Sequence, residues 1–312
     1  MKYKMPRAIE IVVVGGSGLI GKRHLQHVAK SLSAIIFGII DPSPAAIDLS
    51  ASYSVPLFAS VEELLKQSKR PDAAIVCTPN RTHVPLSLDL VSAGIHVLVE
   101  KPISISVSSG QSLIDTAKKQ NVRVLVGHHR RFNPYVLAAK EALDSNVIGD
   151  ITAVSALWTV FKPQSYFDPE ALRWRSSKQD GGGVVLINMI HEIDLMHYLF
   201  GTVTRVHAEK SVTRRRTTPA EQADAEEEGA AITLRFKSGV VGTFIISDHV
   251  GFPHNFEFGT GENPMIHKIG ADVYRFFGTR GTLSFPDIVT WSYGDDSPSW
   301  ELKLKQELLD VP

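Results

Sequence analysis

The sequence predicts an α/β protein in two parts: a doubly wound parallel sheet first, then an α+β domain with a large, mostly antiparallel open sheet. Three observations predict it. Over residues 9–128 the apolar runs IEIVVVG, AIIFGIID, AAIVCTP, HVLVEKP and VRVLVGHH alternate with helical patterns. Runs of Val and Ile without polar alternation imply strands buried on both faces, as in a parallel sheet. After residue 128 the strand-like runs are grouped behind one or two helices, which suits an antiparallel sheet. Finally, 312 residues are too many for one small core, and a length prior gives two domains, placed at 1–128 and 129–312.

The elements follow in order. Ser60 and Glu63 have capping-box spacing at the start of SVEELLKQ, and Gly94 closes the helix HVPLSLDLVSAG. In the second part NPYVLAAKEALDSNVIG reads as a helix, DITAVSALWTVF as a strand and residues 184–200 as a second helix. RVHAEKSVT, AAITLRFKSG, VVGTFIISDH, DVYRFFGTRGTLSF and VTWSY read as strands, with Lys237, Ser238 and Gly239 making a hairpin turn. RRRTTPAEQADAEEE, residues 214–228, sets a basic block before an acidic one and reads as a solvated loop.

Composition narrows the function classes. A hydrophobic content of 43% with 21% charged residues is that of an ordinary globular protein, neither disordered nor membrane-embedded. Thirty-three basic residues balance thirty-three acidic ones, so nothing points to nucleic acid or an anionic membrane as partner. Cys77 is the one cysteine and makes no internal disulfide, which favours a reducing compartment. The first apolar run is too short for a signal peptide, and no run reaches the length of a spanning helix. The expectation is a cytoplasmic protein. Its twelve histidines show no zinc spacing with a third ligand, so no metal is expected, and no Ser-His-Asp arrangement stands out.

The first motif is VVVGGSGLIG. Gly16, Gly18 and Gly21 match G-x-G-x-x-G directly after a strand and at a helix start, with Ser17, Leu19 and Ile20 between them. Such glycines permit a tight turn, the approach of backbone to a pyrophosphate, and close packing of helix on strand. The next strand ends at Asp41, twenty residues after Gly21. A carboxylate there accepts from the adenosine ribose hydroxyls and repels a 2′-phosphate, which places NAD ahead of NADP. A turn residue before Pro42 is its rival reading. Ligands of a parallel sheet bind outside the carboxyl ends of the strands, where Thr78, Pro79 and Asn80, then Glu100, Lys101 and Pro102, then Gly127 to Arg131 fall. Lys101 is a cofactor-side and catalytic candidate there, with Glu100 beside it. For Thr78, Asn80 and His83, cofactor contact and capping of the next helix are equally good readings.

These residues resemble the Gfo/Idh/MocA oxidoreductases, the family of glucose-fructose oxidoreductase and inositol 2-dehydrogenase. The resemblance runs through GGSGLIGKRH, DPSP, CTPNRTH, VEKPIS, GHHRRFNP, WRSSKQDGGG and HEIDLMHYL. It implies an N-terminal Rossmann domain carrying NAD(P) and a C-terminal α/β domain whose open sheet often forms a homodimer or homotetramer interface. It also implies hydride transfer to or from a hydroxyl-bearing carbon of a sugar, polyol or similar cyclic substrate. In that family the lysine of the EKP motif binds the reacting hydroxyl, and an acidic residue and a histidine four apart assist proton transfer. Carried over, these are Lys101 and His191, and the acidic position falls on Ile187, a departure. Members also usually continue past a segment like LKLKQELLDVP into a further helix.

GGGVVLINMIHEID, residues 181–194, sets Asn188, His191, Glu192 and Asp194 in an otherwise apolar helix. A buried polar group without a partner costs roughly 2 kcal/mol, so each of them needs one. Alcohol oxidation needs a base with a pKa near neutrality, and histidine begins at about 6.5. Lys101 is therefore assigned to hold and polarise the oxygen and His191 to take the proton, with the reverse also open. Asn188 is expected to orient substrate, and Asp194 to orient His191 or fix the helix. His129, Arg130, Trp174 and Arg175 are candidates for lining the substrate side. Two other readings remain, a non-enzymatic dinucleotide-sensing regulator and an NAD-using glycosidase.

Overall fold

The computed structural model describes residues 7–168, 170–215, 226–294 and 296–311. The chain divides into two compact units, Met1–Gly127 and His128–Pro312. The first contains β1 (Ile9–Val14), α1 (Leu19–Lys30), β2 (Ala34–Ile40), α2 (Ala45–Tyr53), β3 (Leu57–Phe58) and α3 (Val61–Leu65). It continues with β4 (Ala73–Val76), α4 (His83–Ser92), β5 (His96–Val99), α5 (Val107–Lys119) and β6 (Val124–Val126). All six strands run parallel, in the order β3-β2-β1-β4-β5-β6. The order reverses between β1 and β4, so their carboxyl ends flank the crevice where such sheets take ligands. Val12 and Val14 pack into one hydrophobic cluster and Val13 into another, which is why these strands are apolar at every position.

Local signals hold up well in this unit. Ser60 Oγ accepts from the Glu63 N–H at 3.2 Å, a cap worth about 1 kcal/mol. The Glu63 carboxylate reaches back to the Ala59 N–H at 2.6 Å, one residue beyond the N-cap N–H that a full capping box would engage. Gly94 has φ +80° and follows the C-cap Ala93 of α4, where a left-handed residue is needed to leave the helix.

The second unit contains α6 (Pro134–Asp144), β7 (Ile151–Thr159), α7 (Ile190–Phe200), β8 (Val203–Lys210), β9 (Gly229–Phe236) and β10 (Val241–Ser247). It ends with α8 (Phe256–Thr260), β11 (Tyr274–Gly278), β12 (Gly281–Phe285), β13 (Val289–Ser292) and β14 (Lys305–Leu308). Its eight strands have the order β14-β13-β12-β11-β7-β10-β9-β8, and all pairs are antiparallel except β7 with β10. One face of the sheet, with Trp158, Phe244, Tyr274 and Phe276, packs in one core with Val136 and Ala139 of α6 and Leu195, Met196 and Phe200 of α7. The hairpin turn at 237–239 forms as its sequence predicts, with Gly239 at φ +96° and the Phe236 N–H donating to Val240 O at 2.9 Å.

Two expectations need correction. The helix at 184–200 is not α throughout: it opens with a π-helical turn, Val185–Met189, before α7. Gly181 and Gly183, at φ +72° and +87°, swing the chain in, and the Val185 N–H is taken by the Glu227 carboxylate at 3.0 Å. Residues 214–228 are also not simply a solvated loop. The Arg215 guanidinium pairs with Asp248 at 2.7 Å over the ring of Phe167, and Glu228 accepts from the N–H groups of Arg214 and Arg215 at 2.9 and 2.8 Å. Residues 216–225 lie outside the described residues.

Candidate active site

The turn between β1 and α1 is built around missing side chains. A Cβ on Gly21 would lie 2.1 Å from Gly15 O, and one on Gly16 would lie 2.7 Å from Ile39. Packing alone demands glycine at both positions. Gly18 is different: a Cβ there would meet just Gly15 O, at an ordinary 3.4 Å, so nothing within the chain requires its bareness. Gly18 is the N-cap of α1, offers no side-chain cap, and is followed by a first turn without acidic residues and by exposed Leu19 and Ile20. The positive end of a 12-residue helix with no side-chain cap fits a pyrophosphate.

Asp41 stands beside this turn and is almost fully buried. Its Oδ2 accepts from the Ser17 N–H at 2.8 Å and the Ser17 hydroxyl at 2.6 Å, and its Oδ1 accepts from the Ser43 N–H at 2.9 Å. A carboxylate offers about four acceptor sites, so little capacity is left for a ribose unless Ser17 yields. Asp41 therefore shapes the glycine turn.

At the ends of β4 and β5 the side chains hold each other. Thr78 Oγ1 accepts from Thr82 Oγ1 at 2.7 Å, Pro79 is exposed and Asn80 is buried. His83, expected as a possible cofactor contact, is 1% exposed, with Nδ1 2.7 Å from Pro102 O and Nε2 2.8 Å from Thr78 O. Both ring nitrogens are committed to carbonyl groups, so His83 ties the two turns together and cannot reach a ligand. Burial pushes its pKa down, against the two carbonyls that favour the charged ring. Glu100 accepts from His24 Nε2 at 2.8 Å and from the Lys101 N–H at 3.2 Å. Burial would raise its pKa, but His24 and Lys101 outweigh that and hold it below the usual range. Glu100 also packs on bare Gly127, where a Cβ would stand 3.1 Å from the carboxylate. Lys101 precedes a cis bond to Pro102 and is half-buried.

In the second unit Arg130 and Asp194 are not substrate groups. Arg130 is 3% exposed, with Nη1 2.5 Å from Glu192, Nη2 2.6 Å from Glu257, Nε 3.3 Å from Glu262, and the Phe256 ring 4.1 Å away. Enclosed by three carboxylates and out of solvent, this guanidinium is a buried structural cation. Asp194 takes a bidentate fork from Arg131, through Nε at 2.8 Å and through Nη2, and so fixes α7. Burial, with Glu257 and Glu262 adding to it against the opposing Arg130, pushes Glu192 up to about 8.

Asn188, in the π turn, accepts from Lys162 Nζ at 2.6 Å, and Lys162 is paired with Asp248 at 3.3 Å. An ammonium only donates, so the Asn188 carbonyl oxygen must face Lys162 and its NH2 group turns the other way. Burial pushes the Lys162 pKa down, with Asp248 opposing it. Arg175 stacks over Tyr166 at 3.9 Å and donates to its carbonyl at 2.9 Å. The carbonyls of Trp174 and Arg175 lie where a Cβ on Gly182 would be, at 2.7 and 2.6 Å. Residues 174–175 thus hold the triple glycine in place. His191 is buried on α7, and the exposed ring of His129 meets it edge-on with centroids 5.3 Å apart. His24, Lys162, Glu257 and Glu262 escaped sequence reasoning, because isolated charged residues in loops or helices carry no spacing signal.

Among the described residues no helix is long and apolar enough to cross a membrane. The family model described as "Oxidoreductase family, NAD-binding Rossmann fold" matches residues 9–128, and its companion for the C-terminal alpha/beta domain matches residues 140–303. The chain is similar to Oxidoreductase P35 of Formosa agariphila, 30% identical over 51% of this chain and 50% of that protein. It is also similar to glucose-6-phosphate 3-dehydrogenase of Bacillus subtilis, 27% identical over 95% of this chain and 89% of that protein. Several curated relatives, the Formosa protein among them, are matched over about half of their own length. Among solved structures it is similar to the WlbA dehydrogenase of Bordetella pertussis in complex with NADH and UDP-GlcNAcA, with a TM-score of 0.78 at 25% identity over 94% of this chain and 79% of that one. With both family models matched in order along most of its length, this chain belongs to the Gfo/Idh/MocA oxidoreductase family, and its first unit is that family's NAD-binding Rossmann domain.

Proposed function

We propose that the chain is an NAD-dependent oxidoreductase that moves hydride between the nicotinamide and a hydroxyl-bearing carbon of a sugar, polyol or related cyclic substrate. The observation that carries this reading is the carboxyl rim of the parallel sheet. It sets the glycine turn after β1 and Lys101 after β5 at the ends of strands in the consecutive order β1-β4-β5. Backbone donors suited to a pyrophosphate and an ammonium suited to an alcohol oxygen share that rim. When bound, NAD supplies the hydride acceptor. Lys101 holds and polarises the reacting oxygen, and His191 takes its proton. An ammonium beside that oxygen would stabilise the negative charge it gains as its proton leaves. The names of the Bacillus and Bordetella relatives, with their phosphorylated and nucleotide-linked sugars, support the substrate class.

Asp41 supports NAD over NADP, because a 2′-phosphate would meet a buried carboxylate. Burial pushes the Cys77 thiol up to about 12 and leaves it an unreactive donor to Val14 O at 3.0 Å, which suits a reducing cytoplasmic compartment. Oligomerisation through the exposed face of the second sheet completes the reading.

The test is NADH fluorescence over a panel of inositols, aldoses, lactones and cyclic polyols. Turnover of at least one substrate is expected, lost by a factor of roughly 100 or more in Lys101→Met and in His191→Ala. NAD binding without turnover of any of them would sink the dehydrogenase reading. A Lys101→Met variant as active as the parent would sink the site.

A further inference from the structure

His191 needs its ring held in one orientation to take a proton, and Ile187 puts no carboxylate one turn before it on its own helix. The second unit offers a brace from elsewhere in the chain. Two pairs of neighbouring residues face each other, His129 with Arg130 and His191 with Glu192. On one side Arg130 Nη1 meets Glu192 Oε1 at 2.5 Å, and on the other the His129 ring lies edge-on to the His191 ring, with 5.3 Å between centroids and 77° between planes. Glu262, in the segment after α8, touches both members of the first pair: Oε1 accepts from His129 Nε2 at 2.7 Å and Oε2 lies 3.3 Å from Arg130 Nε. The contacts close a loop that begins at Glu192, runs through Arg130, Glu262 and His129, and returns to the ring of His191.

The members of this loop are not equivalent. Arg130 also carries Glu257 and packs on Phe256, so its loss would disturb the core of the unit. His129 is largely exposed, and its ring is held between the Glu262 carboxylate and the edge of the His191 ring. A half-exposed imidazole held by one carboxylate is a device for orientation, as where a carboxylate fixes the tautomer and direction of a catalytic histidine.

We propose that Glu262 is a positioning residue for His191, acting through His129: its carboxylate fixes the His129 ring, and that ring fixes the plane of the His191 imidazole. This rests on the reading of His191 as the proton acceptor. It predicts that Glu262 affects the chemical step rather than binding of cofactor or substrate.

The experiment compares Glu262→Gln, His129→Phe and the double variant in the full chain. For each, kcat, KM, NADH affinity, thermal midpoint and nitrogen-15 histidine spectra are measured, with the His191 signals assigned by His191→Gln. Glu262→Gln is expected to lower kcat by roughly ten- to a hundredfold at unchanged KM, NADH affinity and midpoint, and to move the ring signals of both His129 and His191. His129→Phe keeps the edge contact but loses the carboxylate, and the double variant should be no worse than the worse single one. Unmoved His191 signals in Glu262→Gln would overturn the proposal, whether or not kcat falls. So would losses in the two single variants that multiply in the double. The spectra separate this outcome from failure of the base reading, since an active His191→Ala would refute that reading while the shift of the His191 signals still reports on Glu262.

Discussion

At the scale of single residues, the three donors on Asp41 decide what its replacement should do. Ser17 gives it two hydrogen bonds and Ser43 one, so the carboxylate both shapes the glycine turn and sets the charge next to it. Asp41→Asn keeps the size, removes the charge and puts an NH2 group against one of these donors. NADH affinity is expected to fall about tenfold, the scale of one hydrogen bond to a charged group, while NADPH affinity holds or rises. Fluorescence titration with both cofactors checks this, and equal losses for the two would mean that Asp41 does nothing but hold the turn. The position of Asp41 at a strand end was legible in the sequence. Its partners were not, and the same holds for His83, whose two carbonyl partners come from separate turns of the chain. Arg130 makes the point most strongly: a basic residue next to a strand end looks like a ligand contact, and three glutamates distant in sequence turn it into a buried structural cation.

At the scale of elements, the segment from Val185 to Phe200 combines a π turn with an α-helix, and π turns of this kind concentrate at functional sites. Apolar spacing cannot distinguish the two windings over five residues, because they differ only in whether each backbone N–H reaches the carbonyl four or five residues back. Glu192, 0% exposed on α7, makes a prediction here. Its folded pKa is raised to about 8 from an ordinary 4.5, so between those values the folded state holds a proton that the unfolded chain has lost. The associated stability is fully present below 4.5 and is lost as pH rises through about 8. Glu192→Gln mimics the protonated form and should cost less than about 1 kcal/mol near neutrality, while flattening the fall in thermal midpoint with rising pH. Arg130→Met leaves carboxylates buried without their cation and should cost about 3–5 kcal/mol. Thermal unfolding of both variants from pH 5 to 9 is the measurement, and a Glu192→Gln variant as damaged as Arg130→Met would show that Glu192 is ionised at neutrality.

At the scale of the whole molecule, one face of the eight-stranded sheet packs on helices and the other carries apolar side chains in the open. Trp291, Thr282, Phe277, Ala153 and Val241 form a row across it by strand register, and Ile245 on the same face is 51% exposed. An open sheet face with these apolar side chains is expected to meet a second copy, so Ile245→Glu should shift sedimentation towards the monomer without changing NADH affinity, and an unshifted, oligomeric variant would place the interface elsewhere. The sequence by itself determined the class of each half, the glycine turn, the strand ends and the helix that carries His191, because these follow from local periodicity and from spacing within a few residues. Only the tertiary structure decided which charges are spent on one another. Arg130 with Glu192, Glu257 and Glu262, Lys162 with Asp248, and Arg131 with Asp194 are pairs made by folding. A buried charge must find its partner wherever the fold brings one within about 3 Å, and distance along the chain says little about that.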